Sequence, residues 1–297
     1  MKLQTQRTNT IVSGNTEAPR TFNINANDIA FSVLSSGLYN DKIRAIVREL
    51  ACNAWDAHVM AGKKNVPFEI HLPTDLEPFF RITDYGIGLS HEDVMNLYCT
   101  YFASNKSQSN DVVGAMGLGS KSPFCYTQAQ GESQGFTVIS RFNNMKRIYS
   151  AYVEGGAPTV TCLSEEESDE PNGLEVQFAV NTNDVWEFEN KSKLALEFFS
   201  PAPNINIEGF EAIRKKYAIK TDFWALRESG TGLRAIQGMV QYNVGSIDIS
   251  RMSREQQLVA ELPLDLFFPI GELSVAASRE MLSNDQRTIN NILNMLT

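Results

Sequence analysis

Residues 41–62, DKIRAIVRELACNAWDAHVMAG, restrict the fold more than any other stretch of the chain. At about 100° per residue, Ile43, Ile46, Val47, Leu50, Ala54 and Ala57 share one broad face, so this is a helix that must lie on a core. Asp41 suits its N-cap and Gly62 its stop. Arg44 and Arg48 are expected to point the other way, to water. Glu49, Asn53 and Asp56 follow at i, i+4 and i+7 and draw a polar stripe along the border of the apolar face. Such a stripe is usually only solvated, and it gains meaning from its neighbours.

Around this helix the pattern alternates between helical and extended segments. DIAFSVLSSGL (28–38) has helical spacing; FEIHL and FFRITD read as strands, the second ending in the turn Asp84-Tyr-Gly-Ile-Gly. SHEDVMNLYCTYF opens with a Ser-x-x-Asp cap and reads as a helix. GFTVISRF, MKRIYSAYVE and GLEVQFAV alternate as antiparallel strands, and the acidic stretch 164–173 reads as a loop. DVWEFENKSKLALEFFS reads as a helix leaving a first domain. The expected division is 1–183 with a polar arm 1–21, a linker helix 184–200, and a second unit 201–297. That unit closes on an amphipathic helix carrying Ile289, Ile292, Leu293 and Leu296 on one face.

Bulk composition narrows the function classes. At 297 residues two domains are the natural expectation, and 42% hydrophobic with 21% charged residues describes an ordinary globular chain. No apolar run approaches the roughly 20 residues that span a bilayer. The opening residues also lack the apolar core of a signal peptide, so a cytoplasmic setting is expected. Lys plus Arg number 26 against 35 Asp plus Glu, and the net charge of −9 repels polyanions, so no nucleic-acid partner is expected. Cys52, Cys99, Cys125 and Cys162 form no C-x-x-C pair, and His58, His71 and His91 form no H-E-x-x-H; no G-x-S-x-G is present. Zinc-hydrolase and serine-hydrolase readings lose their support.

Two glycine-bearing turns remain. In Asp84-Tyr-Gly86-Ile-Gly88 a strand-end carboxylate can accept from an adenine amino group, and the glycines let a flat ring approach. In GAMGLGSKS, Gly114, Gly117 and Gly119 precede a helix start, where bare backbone amides make a phosphate cradle. A P-loop is excluded because Ser120 separates Gly119 from Lys121. Either turn alone is commonplace.

In the order Glu-x-x-x-Asn-x-x-Asp-Ala, Asp-x-Gly-x-Gly, Gly-x-x-Gly-x-Gly, the three elements resemble the Bergerat-fold (GHKL) ATPases. The resemblance implies an α+β fold: an α/β sandwich ATPase domain, then a smaller transducer-like (middle) domain. It implies ATP and Mg2+ as ligands, with Glu49 activating water and Asn53 holding the metal. Asp84 would bind the adenine amino group, with Asp56 beside the pocket, and Gly86 and Gly88 would shape the floor. Gly114, Gly117, Leu118, Gly119, Ser120 and Lys121 would wrap the phosphates, and Ser104 and Lys106 resemble the lid's phosphate-binding segment. Gly173-Leu174 stands where family members often carry Gly-Thr, which thins the expected adenine contact.

GELSVAASREML (271–282) resembles the Ser-Arg-Glu segment of the middle domain of the ninety-kilodalton heat-shock chaperone, which implies that Arg279 reaches the γ-phosphate. A surface Arg279 paired with Glu280 or Asp285 is the competing reading. LSSGLYNDKIRAIVREL, SNKSQSND, GLGSKSPFCYT and SREMLSNDQRT further resemble the rIIA-like rapid-lysis protectors of T-even phages, from about residue 22 to the last helix. Because those proteins have a long further C-terminal region, a compact or shortened relative is implied. The resemblance implies a role in lysis control or protection from host exclusion systems, in the host cytoplasm or at the inner-membrane periphery. Implied partners are ATP, a second copy in a transient ATP-dependent homodimer, and a host or phage protein. A non-hydrolysing nucleotide-gated adaptor is the alternative function.

Overall fold

The computed structural model describes residues 28–35, 37–100, 117–128, 135–244 and 252–297. The chain runs α1 (Asp28–Ser35), α2 (Lys42–Met60), β1 (Glu69–His71), β2 (Phe79–Thr83), α3 (His91–Cys99) and the single turn α4 (Phe124–Thr127). It continues through β3 (Phe136–Phe142), β4 (Met145–Glu154), β5 (Ala157–Glu167), β6 (Gly173–Ala179), α5 (Val185–Ala195) and β7 (Asn204–Ile205). The second unit holds β8 (Tyr217–Lys220), β9 (Trp224–Arg227), β10 (Arg234–Gln237), β11 (Val240–Asn243), α6 (Arg254–Ala260), β12 (Leu264–Phe268) and α7 (Gln286–Asn294).

Local chemistry explains the boundaries that place the site. The Asp41 side chain accepts from the Arg44 N–H and starts α2. At the other end Gly62 takes a φ of +70°; its N–H donates to the Val59 carbonyl at 3.0 Å, and that of Lys63 to the His58 carbonyl at 2.8 Å. This double closure is a Schellman stop, which folds Lys63 back beside the last turn of α2. Ser90 and Asp93 form the capping box that begins α3.

The first sheet has the order β5-β4-β3-β6-β2-β1-β7, antiparallel except for the β1–β7 pair. One face is covered: Ile46, Leu50 and Ala54 of α2 pack with Phe80, Val138, Val176, Phe178 and Phe188 in a single core. Helix α5 lies against α2, so the stretch expected as a linker packs on the first unit, and residues 204–205, expected in the second unit, complete the first sheet. Residues 164–167, expected in a loop, extend β5. They pair with β4 because Arg147 faces Glu165 and Lys146 faces Glu166 across the ladder, so the acidic run has cations opposite it.

The second sheet has the order β11-β10-β12-β9-β8, with β10 and β12 parallel. Its core gathers Leu233, Leu264, Leu266, Phe268 and Leu273 with Ile289, Ile292 and Leu296 around α7, as the amphipathic pattern requires. Val240, Tyr242 and Val275 of this unit belong instead to the first core, so the two units share apolar contact. Among the described residues no helix is long and apolar enough to cross a membrane.

Candidate functional site

The polar stripe of α2 lies inside the molecule. Glu49 is 4% exposed and Asp56 fully buried, while Asn53 is half-buried. Arg48, expected in water, is itself buried. Its Nε and Nη2 donate to Glu49 Oε1 at 3.2 and 3.1 Å, and Nη2 donates to the Ser278 carbonyl at 2.7 Å. Arg48 is buried because the second unit's Ser278 lies over a face of α2 that would otherwise meet solvent. Arg44 is half-buried, its Nη2 3.4 Å from Gln241 Oε1.

The other Glu49 oxygen is held from the second unit. Arg279 Nη1 donates to Glu49 Oε2 at 3.0 Å, and Nη2 lies 3.8 Å from Cys52 Sγ. Neither Glu280 nor Asp285 is its partner. Glu280 accepts from the backbone N–H groups of Asn40 and Asp41, at the positive end of the α2 dipole, and Asp285 caps α7. Burial works against the Arg279 charge, but the Glu49 carboxylate outweighs it and holds that guanidinium's pKa well above its usual value. Arg279 has a φ of +55°, a conformation that costs a non-glycine residue roughly 1–3 kcal/mol and persists only where its surroundings enforce it. Three consecutive residues, Ser278 to Glu280, thus fasten the second unit to α2.

A second joint lies beside the first. Arg234 on β10 donates to both Glu197 oxygens at 2.9 and 3.0 Å and to both Asp265 oxygens at 2.7 and 2.5 Å. Arg227 also reaches Asp265 at 2.7 Å, and the Arg234 guanidinium lies over the Phe198 ring. Because Glu197 follows α5, this buried network joins the two units. No motif marked it: its members are scattered in sequence and meet only through the second sheet.

The two glycine turns converge on α2. Asp84 extends the β2–β6 ladder, its N–H donating to the Leu174 carbonyl at 2.9 Å. Its Oδ1 accepts from the Gly86 N–H at 2.8 Å and the Leu174 N–H at 3.3 Å. Leu174 therefore keeps the backbone contact with Asp84 but brings no hydroxyl. At Gly88 a side chain is ruled out twice, since φ is +72° and a Cβ would sit 2.1 Å from the Arg141 carbonyl oxygen. A Cβ on Gly119 would lie 2.7 Å from Glu49 Oε2 and 3.4 Å from Asn53 Nδ2, so a side chain here would displace the Glu49 carboxylate or lift the loop from the α2 stripe.

The rest of the loop divides. Ser120 is buried and its Oγ has no hydrogen-bond partner; Leu118 is buried as well. Lys121, expected at the phosphates, is instead buried, with its ammonium donating to the carbonyls of Leu97, Thr100 (2.9 Å) and Gly117 (2.8 Å). It closes the C-terminal end of α3 onto the loop, because those carbonyls have no helical donors of their own. Burial lowers its pKa to about 8. Ser104, Lys106 and Gly114 lie outside the described residues, as does the arm 1–21.

The structure thus brings together Glu49, Asn53, Gly119 and Ser120 at one end and Asp84, Gly86 and Gly88 at the other. The orphaned Ser120 hydroxyl and the bare Gly119 backbone fit an anionic group. Among the described residues no cluster of three or more His, Cys, Asp or Glu is arranged to hold a metal ion, so a divalent ion here would depend on Asn53 and on ligand oxygens.

No protein-family model matches the chain, and no curated protein is similar to it in sequence. Solved structures are similar in fold. The ATPase region of Saccharomyces cerevisiae topoisomerase II superposes with a TM-score of 0.55 at 12% identity, covering 84% of this chain and 82% of that one. The same region bound to ICRF-187 (dexrazoxane) gives a TM-score of 0.56 at 12% identity, covering 84% and 83%. The chain therefore has the α+β fold of the GHKL (Bergerat) ATPase regions, followed by a second, smaller domain.

Proposed function

We propose that this protein binds ATP between α2 and the Asp84 turn and hydrolyses it slowly, with Glu49 as general base. The observation that carries the reading is the seating of Gly119 against the Glu49 carboxylate and the Asn53 amide, followed directly by a buried Ser120 hydroxyl that has no hydrogen-bond partner. Asp84, oriented through Oδ1 by two backbone N–H groups, accepts from the adenine amino group. Bound Mg2+ supplies charge neutralisation at the phosphate oxygens, and Asn53 is the residue to hold it.

Both oxygens of Glu49 are engaged by guanidinium groups in this structure. To take a proton from water, one oxygen must turn to that water, and the groups to release it are Arg48 and Arg279. Arg279, once released from Glu49, is the group to meet developing negative charge, a contribution worth about 10³–10⁵ in rate in phosphoryl-transfer enzymes. The site thus couples chemistry to the joint between the two units.

The cellular setting, lysis control or protection from host exclusion in a phage-infected cell, is proposed on the sequence resemblance alone, as are ATP-dependent dimerisation and a host or phage partner. The same double grip on Glu49 favours, as a second reading, a nucleotide-gated adaptor that binds ATP without turnover. Side-by-side measurement decides. ATP binding with turnover that disappears in Glu49→Gln and falls in Arg279→Met supports the ATPase; binding with no turnover above the Glu49→Gln background supports the adaptor. Absence of ATP binding overturns both.

A further inference from the structure

The Asp84 turn is held by a device that none of the motifs includes. His58, on the last turn of α2, is buried, and its two ring nitrogens have opposite duties. Nε2 accepts from the Tyr85 N–H at 2.8 Å, so it carries no proton; Nδ1 therefore carries it and donates to the Val66 carbonyl at 2.8 Å. The other end of the turn is gripped too, as Lys63 Nζ donates to the Tyr85 carbonyl at 2.7 Å. The Tyr85 hydroxyl donates to Glu69 Oε1 at 2.6 Å, and Phe68 sets its ring edge-on to the imidazole. Tyr85 is thus tied at its N–H, its carbonyl and its hydroxyl, immediately after Asp84.

We infer that His58, with Lys63, is a positioning residue for base recognition: it sets the direction of the Asp84 carboxylate by fixing the peptide that follows it. This rests on the reading of Asp84 as the adenine acceptor. The inference adds a condition, because only neutral imidazole can accept from Tyr85. Burial lowers the His58 pKa, the nearby Lys63 ammonium lowers it further, and the Val66 carbonyl opposes them. The groups around it are Lys63 on the Schellman turn, Tyr85 and Asp84 after β2, and Glu69 on β1 beyond Tyr85. Since the folded-state pKa lies below the ordinary value of about 6.5, the contact is complete at neutral pH and is lost only as pH falls through that lowered value.

The test compares ATP with inosine triphosphate, which carries a carbonyl where adenine carries its amino group, and with tripolyphosphate, which has no base. Calorimetric affinities are taken at about pH 7.5 and at a pH below the His58 midpoint, located from its ring-proton NMR shifts, for the intact chain, His58→Gln, Lys63→Met and Asp84→Asn. The glutamine amide oxygen can replace Nε2 as acceptor without titrating. At neutral pH His58→Gln is expected to keep the ATP preference within about twofold, and Lys63→Met to lose about fivefold, the worth of one hydrogen bond. On acidification the intact chain is expected to lose about fivefold in preference while His58→Gln holds. Tripolyphosphate binding should stay level across the variants, and titration of the ligand phosphates, common to both chains, cancels. An identical pH profile in the intact chain and His58→Gln overturns the inference, as does a parallel loss of tripolyphosphate binding. If His58→Gln does not fold, Lys63→Met decides by the same preference ratio. A normal preference in Asp84→Asn would instead sink the adenine reading itself.

Discussion

Replacing Glu49 by Gln tests the electrostatics at the joint between the two units. In the native chain one carboxylate serves two guanidinium groups, with Arg48 at 3.1 Å and Arg279 at 3.0 Å, all three side chains being under one-tenth exposed. At an effective dielectric near 20, each pair is worth about 4 kcal/mol of gross attraction before desolvation. Breaking a buried pair by removing one partner costs about 3–5 kcal/mol net, because the surviving charge stays buried. Here two cations would survive, facing each other. The Gln oxygen can still accept one N–H, recovering about 1 kcal/mol, so the expected loss is about 2–4 kcal/mol. Arg279→Met leaves a balanced Arg48–Glu49 pair and is expected to cost only about 1 kcal/mol.

Urea unfolding without nucleotide, near neutral pH, measures all three quantities when the Glu49→Gln/Arg279→Met double variant is included. The double variant is expected to be less destabilised than the sum of the single changes by about 1–3 kcal/mol, because the second substitution removes one of the stranded cations. Additivity within about 0.5 kcal/mol, or a Glu49→Gln loss no larger than that of Arg279→Met, would refute the shared-carboxylate argument.

Three further outcomes follow from the geometry. Gly119→Ala places a Cβ 2.7 Å from Glu49 Oε2 and should weaken ATP affinity by about tenfold in a direct binding titration, since either the loop lifts from α2 or the Glu49 carboxylate is pushed from its place. Asp84→Asn should weaken ATP binding by roughly 1–3 kcal/mol while leaving the thermal midpoint nearly unchanged, because the amide oxygen can still accept from Gly86 and Leu174. Arg234→Lys cannot reproduce a fork that serves Glu197 and Asp265 together, and a fall of about 3–5 kcal/mol in unfolding free energy is expected; an unchanged midpoint would show that the network carries no load.

Much of the architecture follows from local rules. The apolar face of α2, its Asp41 cap and Gly62 stop, the Ser90 capping box and the face of α7 all depend on residues within one or two helical turns of each other. The same locality made Glu49, Asn53, Asp84 and the glycine loop legible, because each motif needs its residue types at a short fixed spacing. The acidic stretch 164–167 reads as a loop for the complementary reason: alone it repels itself, and it becomes a strand beside Lys146 and Arg147.

The contacts between units had no such local signal. Arg48 is solvated on an isolated α2 and buried once the 278–280 segment covers it, and 230 positions separate Arg48 from Ser278. Lys121 follows a phosphate-type loop in sequence, yet the nearby end of α3 offers carbonyls that claim its ammonium. His58 appears as one more residue on a helix until the β2 turn brings the Tyr85 N–H to its ring. The sequence by itself determined which helix, which turns and which loop make the proposed nucleotide site, because propensity and spacing act over a few residues. Only the tertiary structure decided what the Glu49 carboxylate touches, because burial and charge pairing depend on which distant surfaces exclude water from it.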